Sequence, residues 1–163
     1  SAETWLNEST ADEIAKVLWE KGEERYSKII SESICKERQV NPINTTLRLS
    51  RIILDSKPKR SKRHPATNVF RAIRMEVNSE LEELQNLLIA AGRLLKKGGR
   101  LAVISFHSLE DRVVKRFIQG KSIDGKGFSF SKVGPKYFKP NQAEITRNPR
   151  SRSAILRVVE KVS

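Results

Sequence analysis

One stretch, residues 98–112, constrains the fold more than any other part of the chain. A glycine pair precedes a short apolar run that contains β-branched residues, and polar residues follow the run. This pattern predicts a strand at 100–106, a corner and then a helix at about 109–119, with Ser108 as N-cap and Asp111 completing a near capping box. In open α/β sheets, ligands bind beyond the carboxyl ends of the strands. The candidate site residues at this corner are Ser105, Phe106, His107 and Ser108.

Three short amphipathic helices are predicted ahead of this stretch. The first begins at a capping box formed by Thr10 and Glu13, and the second covers about 23–38. The third begins at Asn44 or Thr45 after the helix-breaking Pro42. Apolar residues at helical spacing give each helix one side to bury, so the three together predict a small helical subdomain.

The rest of the chain alternates between helix and strand patterns. A helix is predicted from about 66 to 96 with an interruption at 78–79, and the strand, corner and helix described above follow it. Residues 120–134 are rich in Gly, Ser and Lys and predict a mobile loop. Short strands are predicted at 136–138 and 154–161, and because no helix separates them they should pair antiparallel. The chain is therefore expected to have an α/β fold.

The charge of the chain favours a polyanionic partner. It has 32 Lys and Arg against 19 Asp and Glu, a net charge of +13, and nucleic acid suits this charge better than an anionic membrane. With one cysteine, an apolar content too dispersed for a membrane span and no signal peptide pattern, we expect no membrane partner and a cytoplasmic location in a bacterium, or an organelle matrix. The alternative is a basic protein without a specific site.

Basic residues are concentrated in a few places. Residues 57–64 are strongly basic, with a proline near each end, and predict an exposed loop that contacts phosphates; a solvated linker is the alternative. A helix with two arginines and a second basic turn at 147–152 add further positive charge, as do Arg112 and Arg116. The candidate RNA-contacting residues are Arg63, His64, Arg71, Arg74, Arg150 and Arg152.

Other kinds of chemistry find little support in the sequence. A hydrolase site would need its nucleophile and base from 105–111 alone, whereas triad members rarely come from one short segment. Two histidines far apart and one cysteine give no metal-ligand spacing, and the glycine pair precedes a strand, unlike a phosphate-binding loop. No catalytic, cofactor-binding or metal-binding residue is assigned. Phe106 and His107 suit stacking on a splayed base, with core packing as the alternative for Phe106 and simple helix capping for Ser108.

Five segments in order resemble one known family, the ribosomal RNA small-subunit methyltransferase H family, also called MraW. The segments are 22–26 (GEERY), 64–67 (HPAT), 74–83 (RMEVNSELEE), 98–117 (GGRLAVISFHSLEDRVVKRF) and 148–153 (NPRSRS). The resemblance covers only the carboxyl-terminal half of that family. Its members methylate the N4 amine of a decoding-centre cytidine in 16S rRNA with S-adenosylmethionine (AdoMet), so the resemblance implies 16S rRNA and the small ribosomal subunit as partners.

The resemblance also implies that two parts of the chain have different roles. Residues 1–78 would form a helical substrate-recognition subdomain, and 79–163 the carboxyl-terminal part of the methyltransferase domain, an αβα run plus antiparallel terminal strands. The fold would be a partial class I (Rossmann-like) methyltransferase sheet, with the strand at 100–106 as one of its late parallel segments. The corner would line the target-base pocket, and Asn78 would hydrogen-bond toward it.

The family's cofactor-binding motifs have no positions in this sequence. We therefore expect no cofactor on this chain alone, although the complete enzyme uses AdoMet, and we expect the chain to be inactive by itself. Its open sheet would associate with the missing amino-terminal half or with a second copy. The alternative is a non-catalytic basic RNA-binding module.

Overall fold

A computed structural model describes residues 1–57, 65–121 and 128–163 of the chain. These residues form two compact units, Ser1–Glu80 and Leu81–Ser163. The first unit is helical throughout its described part. Its helices are α1 (Ala2–Glu8), α2 (Ala11–Glu20), α3 (Ser27–Val40), α4 (Thr46–Ser56) and α5 (Thr67–Val77), and α6 (Glu80–Leu94) begins at its last residue.

The ends of these helices follow from local hydrogen bonding. The predicted capping box is confirmed: the Thr10 N–H donates to Oε2 of Glu13 at 2.7 Å, and the Glu13 N–H donates to the Thr10 hydroxyl at 3.3 Å. Thr45 caps α4 by accepting the Arg48 N–H at 3.2 Å. The second predicted helix begins later than expected because Glu23 has a left-handed φ of 52°, which no helix continues.

The first helix, α1, was not predicted from the sequence. Its Asn7 side chain donates to the Ile43 carbonyl at 3.0 Å and accepts the Ile43 N–H at 2.9 Å. Asn7 and Ile43 are 36 positions apart in the sequence, so no local sequence pattern predicts these hydrogen bonds. Together with the buried Leu6, they fix α1 to the core of the first unit. That core is made of apolar side chains from all five helices, among them Ile14, Leu18, Ile30, Ile34, Leu49, Ile53, Val69 and Ile73.

The second unit contains a small mixed arrangement of helices and strands. Its elements after α6 are β1 (Arg100–Ser105), α7 (Ser108–Ile118), β2 (Phe130–Lys132), α8 (Gln142–Arg147), a 3-10 helix (Pro149–Ser153) and β3 (Ile155–Lys161). The strands form one sheet in the order β1-β3-β2, and both pairings are antiparallel. The parallel neighbour that the family resemblance implies for β1 is not among the described strands.

Two predictions about the end of the chain need correction. β2 lies inside the segment predicted to be a mobile loop, where it pairs Phe130 with Lys161 of β3. The strand predicted at 136–138 is reduced to one antiparallel bridge, Phe138 with Leu156. Its direction is as predicted, but the expectation that no helix separates it from the last strand was wrong, because α8 and the 3-10 helix lie between them. A three-residue strand has no periodicity of its own, so its existence depends on the tertiary partner and not on local sequence.

The two faces of the sheet differ. Leu101 and Val103 of β1 pack against a core formed by Leu88, Val114 and Phe117 of α6 and α7. The alternate residues of β1 lie on the opposite face, where Ile104 is 57% exposed beside Leu156 of β3. The sheet of the second unit therefore has one covered face and one open apolar face.

Candidate functional site

The corner between β1 and α7 is held by a capping box that differs by one residue from the prediction. α7 begins at Ser108, so the N-cap is His107 and not Ser108. Nδ1 of His107 accepts the Glu110 N–H at 3.3 Å, and Oε2 of Glu110 accepts the Phe106 N–H at 2.8 Å. Because the helix starts one residue early, Glu110 and not Asp111 occupies the third position of the capping box.

The same hydrogen bonds determine the electrostatics of the corner. Since Nδ1 of His107 accepts a hydrogen bond, the neutral ring carries its proton on Nε2, which lies 3.2 Å from Oε1 of Glu110. Burial on its own would raise the pKa of Glu110. The hydrogen bonds from His107 and from the Phe106 N–H, together with the electrostatic interaction with His107, outweigh burial and lower that pKa below its ordinary value of 4.5. The corner thus holds a carboxylate between the strand end and the helix start.

The corner exposes one aromatic ring. Phe106 is 52% exposed, so it does not belong to the core of this structure. Ser105 is buried at 2% exposure, and its hydroxyl has no hydrogen-bond partner among the residues that the structure describes. His107 is largely covered, whereas Ser108 lies in the exposed first turn of α7. The corner can therefore offer a flat apolar face to a ligand from a backbone that its capping box keeps in place.

Asp111 has a role that the sequence did not suggest. Its carboxylate accepts two hydrogen bonds from Arg157 of β3, Nε to Oδ1 at 2.7 Å and Nη2 to Oδ2 at 2.9 Å. Arg157 also donates to the Lys136 carbonyl at 3.0 Å and lies 5.7 Å from the centre of the Tyr137 ring. The hydrogen bond to Asp111, more than the opposing effect of burial, raises the pKa of Arg157. The signal in the sequence was an arginine at an inward position of an apolar strand.

In the first unit, Arg74 and Asn78 meet at one carboxylate. Arg74 donates to both oxygens of Glu80, from Nε at 2.7 Å and from Nη2 at 3.0 Å. Asn78 donates to the same carboxylate at 3.4 Å. The Arg74 side chain remains 59% exposed, so the cluster lies at the surface of the unit.

Arg74 and Asn78 also line a groove of the first unit. The groove lies between the ends of α1, α4 and α5, and its walls are mainly apolar. The apolar side chains that line it include Leu6, Ile43, Leu49, Phe70, Ile73 and Val77. A groove with an apolar floor and an arginine and an amide at its rim suits a flat, partly polar ligand.

The other predicted RNA contacts lie in different places. Arg71 points inward, where its Nη2 donates to the Gly22 carbonyl at 3.0 Å. Arg150 and Arg152 are exposed in the 3-10 helix Pro149–Ser153, which Asn148 caps by accepting the Arg150 N–H at 3.3 Å. Arg63 and His64 lie outside the described residues, as does most of the basic segment predicted at 57–64.

The turn after β1 does not fit the glycine-rich turn that binds a nucleotide cofactor. Among the described strands, β1 is the one that a helix follows directly, and its connection holds Phe106 and His107 in place of the glycines that let a backbone approach a nucleotide. In the same part of the chain no group of three or more His, Cys, Asp or Glu side chains could hold a metal ion. No helix of the described ranges is long and apolar enough to cross a membrane.

Comparisons with known proteins match the whole chain. The model of the MraW methylase family matches residues 1–162. A ribosomal RNA small subunit methyltransferase H of Coxiella burnetii (strain RSA 493 / Nine Mile phase I) is 46% identical over 173 residues, covering 99% of this chain and 56% of the relative. Proteins of the same name from Marinomonas sp. (strain MWYL1) and Legionella pneumophila (strain Paris) are 45% and 44% identical, and each is matched by 100% of this chain. The chain spans 56% and 57% of the length of these two relatives.

Proposed function

Because the chain belongs to the MraW methylase family, we propose that it is the RNA-recognition and carboxyl-terminal part of an AdoMet-dependent 16S rRNA (cytosine-N4)-methyltransferase. Its target is a cytidine of the decoding centre in the small ribosomal subunit. The observation that supports this most is the corner after β1, where a capped turn holds the exposed ring of Phe106 at the carboxyl end of a strand. Ligands of α/β sheets bind at that edge.

The basic residues supply affinity for the RNA backbone. Arg74, Arg150 and Arg152 are exposed and suit phosphate contacts, which give salt-dependent binding without base readout. We also propose that Arg63 and His64 contact RNA phosphates, because they lie in a strongly basic stretch of the sequence. We also propose that Arg71 contacts RNA, with its Nη2 group bonded to the Gly22 carbonyl. The exposed ring of Phe106 favours single-stranded or looped rRNA, because unstacked bases can lie on an aromatic side chain.

The corner's contribution to the reaction is positioning. Phe106 stacks on the target base, and the hydroxyls of Ser105 and Ser108 and the ring of His107 line the wall against which the base rests. Asn78 is assigned a hydrogen bond toward this wall. Holding a nucleophilic amine in a fixed orientation accelerates a transfer reaction without acid or base chemistry from these side chains. AdoMet supplies the methyl group in the complete enzyme, where the residues that bind it are contributed by the remainder of the relatives' length.

The two units take different parts in the proposal. Residues 1–78 recognise the substrate, and 79–163 complete a class I, Rossmann-like methyltransferase domain. In the described sheet β1 has β3 on one side and an open edge on the other, and an open edge pairs readily with another strand. We propose that this edge pairs with a strand from the part of the relatives' length that the chain does not match, with self-association as the alternative, and that residues 1–163 need this part for activity.

A complementation experiment tests this function. The chain is mixed with a separately produced amino-terminal half of the Coxiella burnetii relative, and methylation of cytidine N4 in small-subunit rRNA is measured by mass spectrometry. Restored methylation supports the proposal, and salt-sensitive RNA binding without methylation supports a non-catalytic RNA-binding module. Tight, stoichiometric AdoMet binding by the chain alone, measured by calorimetry, would contradict the assignment of the cofactor site to the other half.

A further inference from the structure

Two aromatic residues between two lysines, residues 136–139, form a segment that is firmly attached to the second unit. The Phe138 N–H donates to the Leu156 carbonyl of β3 at 2.8 Å, and the Phe138 carbonyl accepts the Leu156 N–H at 3.0 Å. Arg157 of the same strand donates from Nη1 to the Lys136 carbonyl at 3.0 Å. The backbone of the segment is therefore fixed at two points.

The two rings of this segment remain exposed although its backbone is fixed. Tyr137 and Phe138 are each 40% exposed, and the lysines that flank them are exposed as well. The guanidinium of Arg157 lies 5.7 Å from the centre of the Tyr137 ring, and Nζ of Lys139 lies 5.8 Å from it. Cations at these distances attract an aromatic ring. The segment thus presents aromatic surface to solvent on a backbone that does not have to be ordered when a ligand binds.

The segment lies at the same end of the sheet as the corner after β1. Phe138 is bridged to Leu156, and Leu156 pairs with Ile104 of β1, which lies two residues before Phe106. Because adjacent strands lie about 4.8 Å apart, the backbone at Phe138 is two strand spacings, or roughly 10 Å, from β1. A short single strand of RNA can therefore reach both aromatic surfaces.

The charge around the segment suits a polyanion. Residues 132–152 contain six Lys and Arg, one Glu and no Asp, and all six cationic residues are exposed. Proteins that bind single-stranded nucleic acids combine such positive charge with aromatic side chains on which successive bases stack. An acidic protein would use the charge but not the rings, and an apolar protein surface would use the rings but not the charge. The combination therefore favours unpaired RNA as the ligand.

We propose that residues 136–139 are a second RNA-binding surface, where the two rings stack on unpaired bases and the two lysines contact phosphates. This inference rests on the proposed function, because the bases belong to the strand whose cytidine the corner holds. Neighbouring residues of a paired segment face opposite sides of a sheet, so the two rings take separate bases. The Phe138 ring also packs against the turn at Gly134, where a Cβ would lie 3.0 Å from its Cζ, so Tyr137 is the residue that tests stacking.

The test measures the affinity of the full chain for a labelled single-stranded RNA with the decoding-centre sequence, and for a duplex RNA of the same length, at several salt concentrations. Tyr137→Ala should bind the single strand about tenfold more weakly because a base–aromatic stack is lost, with an unchanged slope of log K against log salt. Tyr137→Phe keeps the ring and should bind like the unaltered chain. Lys139→Gln should make the slope shallower by about one, because one phosphate contact is lost. Trp19→Ala, at a 60% exposed position of α2, is the aromatic control and should not affect binding.

Duplex RNA separates stacking from folding. A general loss of structure would weaken the binding of single-stranded and duplex RNA alike, whereas a lost stack affects the single strand, whose bases are accessible. Single-strand binding by Tyr137→Ala equal to that of Trp19→Ala, an equal loss on both RNAs, or an unchanged slope in Lys139→Gln would overturn this RNA-binding surface. Unchanged RNA binding with weaker association to the separately produced amino-terminal half would overturn it in favour of a protein contact. Failure of the unaltered chain to bind either RNA would overturn the proposed function, and this surface with it.

Discussion

Arg157 of β3 and Asp111 of α7 form a two-point ion pair, with nitrogen-to-oxygen distances of 2.7 and 2.9 Å. Arg157 lies opposite Val103 in the register of β3 with β1. The pair therefore ties the first turn of α7 to the middle of the sheet, next to the corner that the capping box of His107 and Glu110 closes. Two independent contacts thus fix the start of one helix, and both can be removed singly.

Removing Asp111 should destabilise the second unit. Asp111→Ala leaves the guanidinium of Arg157, 8% exposed, without its carboxylate, and the loss of one partner of a buried pair costs about 3 kcal/mol. Glu160→Ala is the matched control, because it breaks the exposed pair between Arg100 and Glu160 and should cost less than about 1 kcal/mol. Urea unfolding followed by circular dichroism measures both. Equal effects of the two variants would show that the buried pair contributes nothing beyond a surface pair.

Two substitutions can separate the N-cap hydrogen bond of His107 from the packing of its imidazole ring. His107→Ala removes the acceptor of the Glu110 N–H and should cost about 1 kcal/mol of stability. His107→Asn keeps an acceptor of suitable length, and asparagine is among the best N-cap residues, so it should retain most of that stability. Thermal unfolding of the two variants measures this difference in stability. If His107→Asn is as unstable as His107→Ala, the packing of the imidazole and not its hydrogen bond maintains the corner.

The lowered pKa of Glu110 predicts a dependence of stability on pH. A carboxyl whose pKa is lower in the folded state than in the unfolded state stabilises the fold at pH values above its ordinary value of 4.5. This contribution is lost as the pH falls through the folded-state pKa. The free energy of unfolding should therefore fall less between pH 6 and pH 3 in Glu110→Gln than in the unaltered chain. Glu83→Gln, at an exposed position of α6, is the control for the removal of one carboxylate.

The sequence predicted those parts of the structure that depend on nearby residues. The capping box of Thr10 with Glu13 and the start of α4 near Thr45 depend on contacts within three positions, and both were found. β1 was also found, because its apolar run is a local pattern, although its pairing partner β3 is distant in the sequence. The N-cap of α7 was placed one residue late because histidine is not a typical N-cap, whereas Ser108 is of a preferred type.

The features that were not predicted from the sequence depend on contacts between residues that are far apart in the sequence. Arg71 and Arg157 are cationic side chains that point inward. Arg71 donates to the Gly22 carbonyl, 49 positions away, and Arg157 donates to the Asp111 carboxylate, 46 positions away. Local patterns describe the side chain and its neighbours on one element, and they carry no information on which distant carbonyl or carboxylate lies opposite. The same limit applies to β2, whose three residues form a strand because β3 pairs with them.

The exposed ring of Phe106 should matter for the reaction and not for the fold. Phe106→Ala changes a residue that is 52% exposed, so stability should change by less than about 0.5 kcal/mol. Methylation in the complemented enzyme should fall by about tenfold or more, since a lost base–aromatic stack costs about 1–3 kcal/mol. Leu87→Ala, at a 65% exposed position of α6, is the apolar control and should not affect methylation. Unchanged methylation in Phe106→Ala would remove the ring from the proposed base pocket.

Glu80 should limit RNA binding by Arg74. Both oxygens of Glu80 accept hydrogen bonds from Arg74, so a phosphate must compete with a carboxylate for the same guanidinium. Glu80→Gln weakens that competition, and binding of a 16S rRNA transcript should become severalfold tighter at low salt, with the gain shrinking as salt increases. Arg74→Ala should bind more weakly, and adding Glu80→Gln to it should restore little, because the arginine through which Glu80 acts is absent. A gain from Glu80→Gln of equal size in both backgrounds would mean that Glu80 acts only through the overall charge and that Arg74 does not contact the RNA.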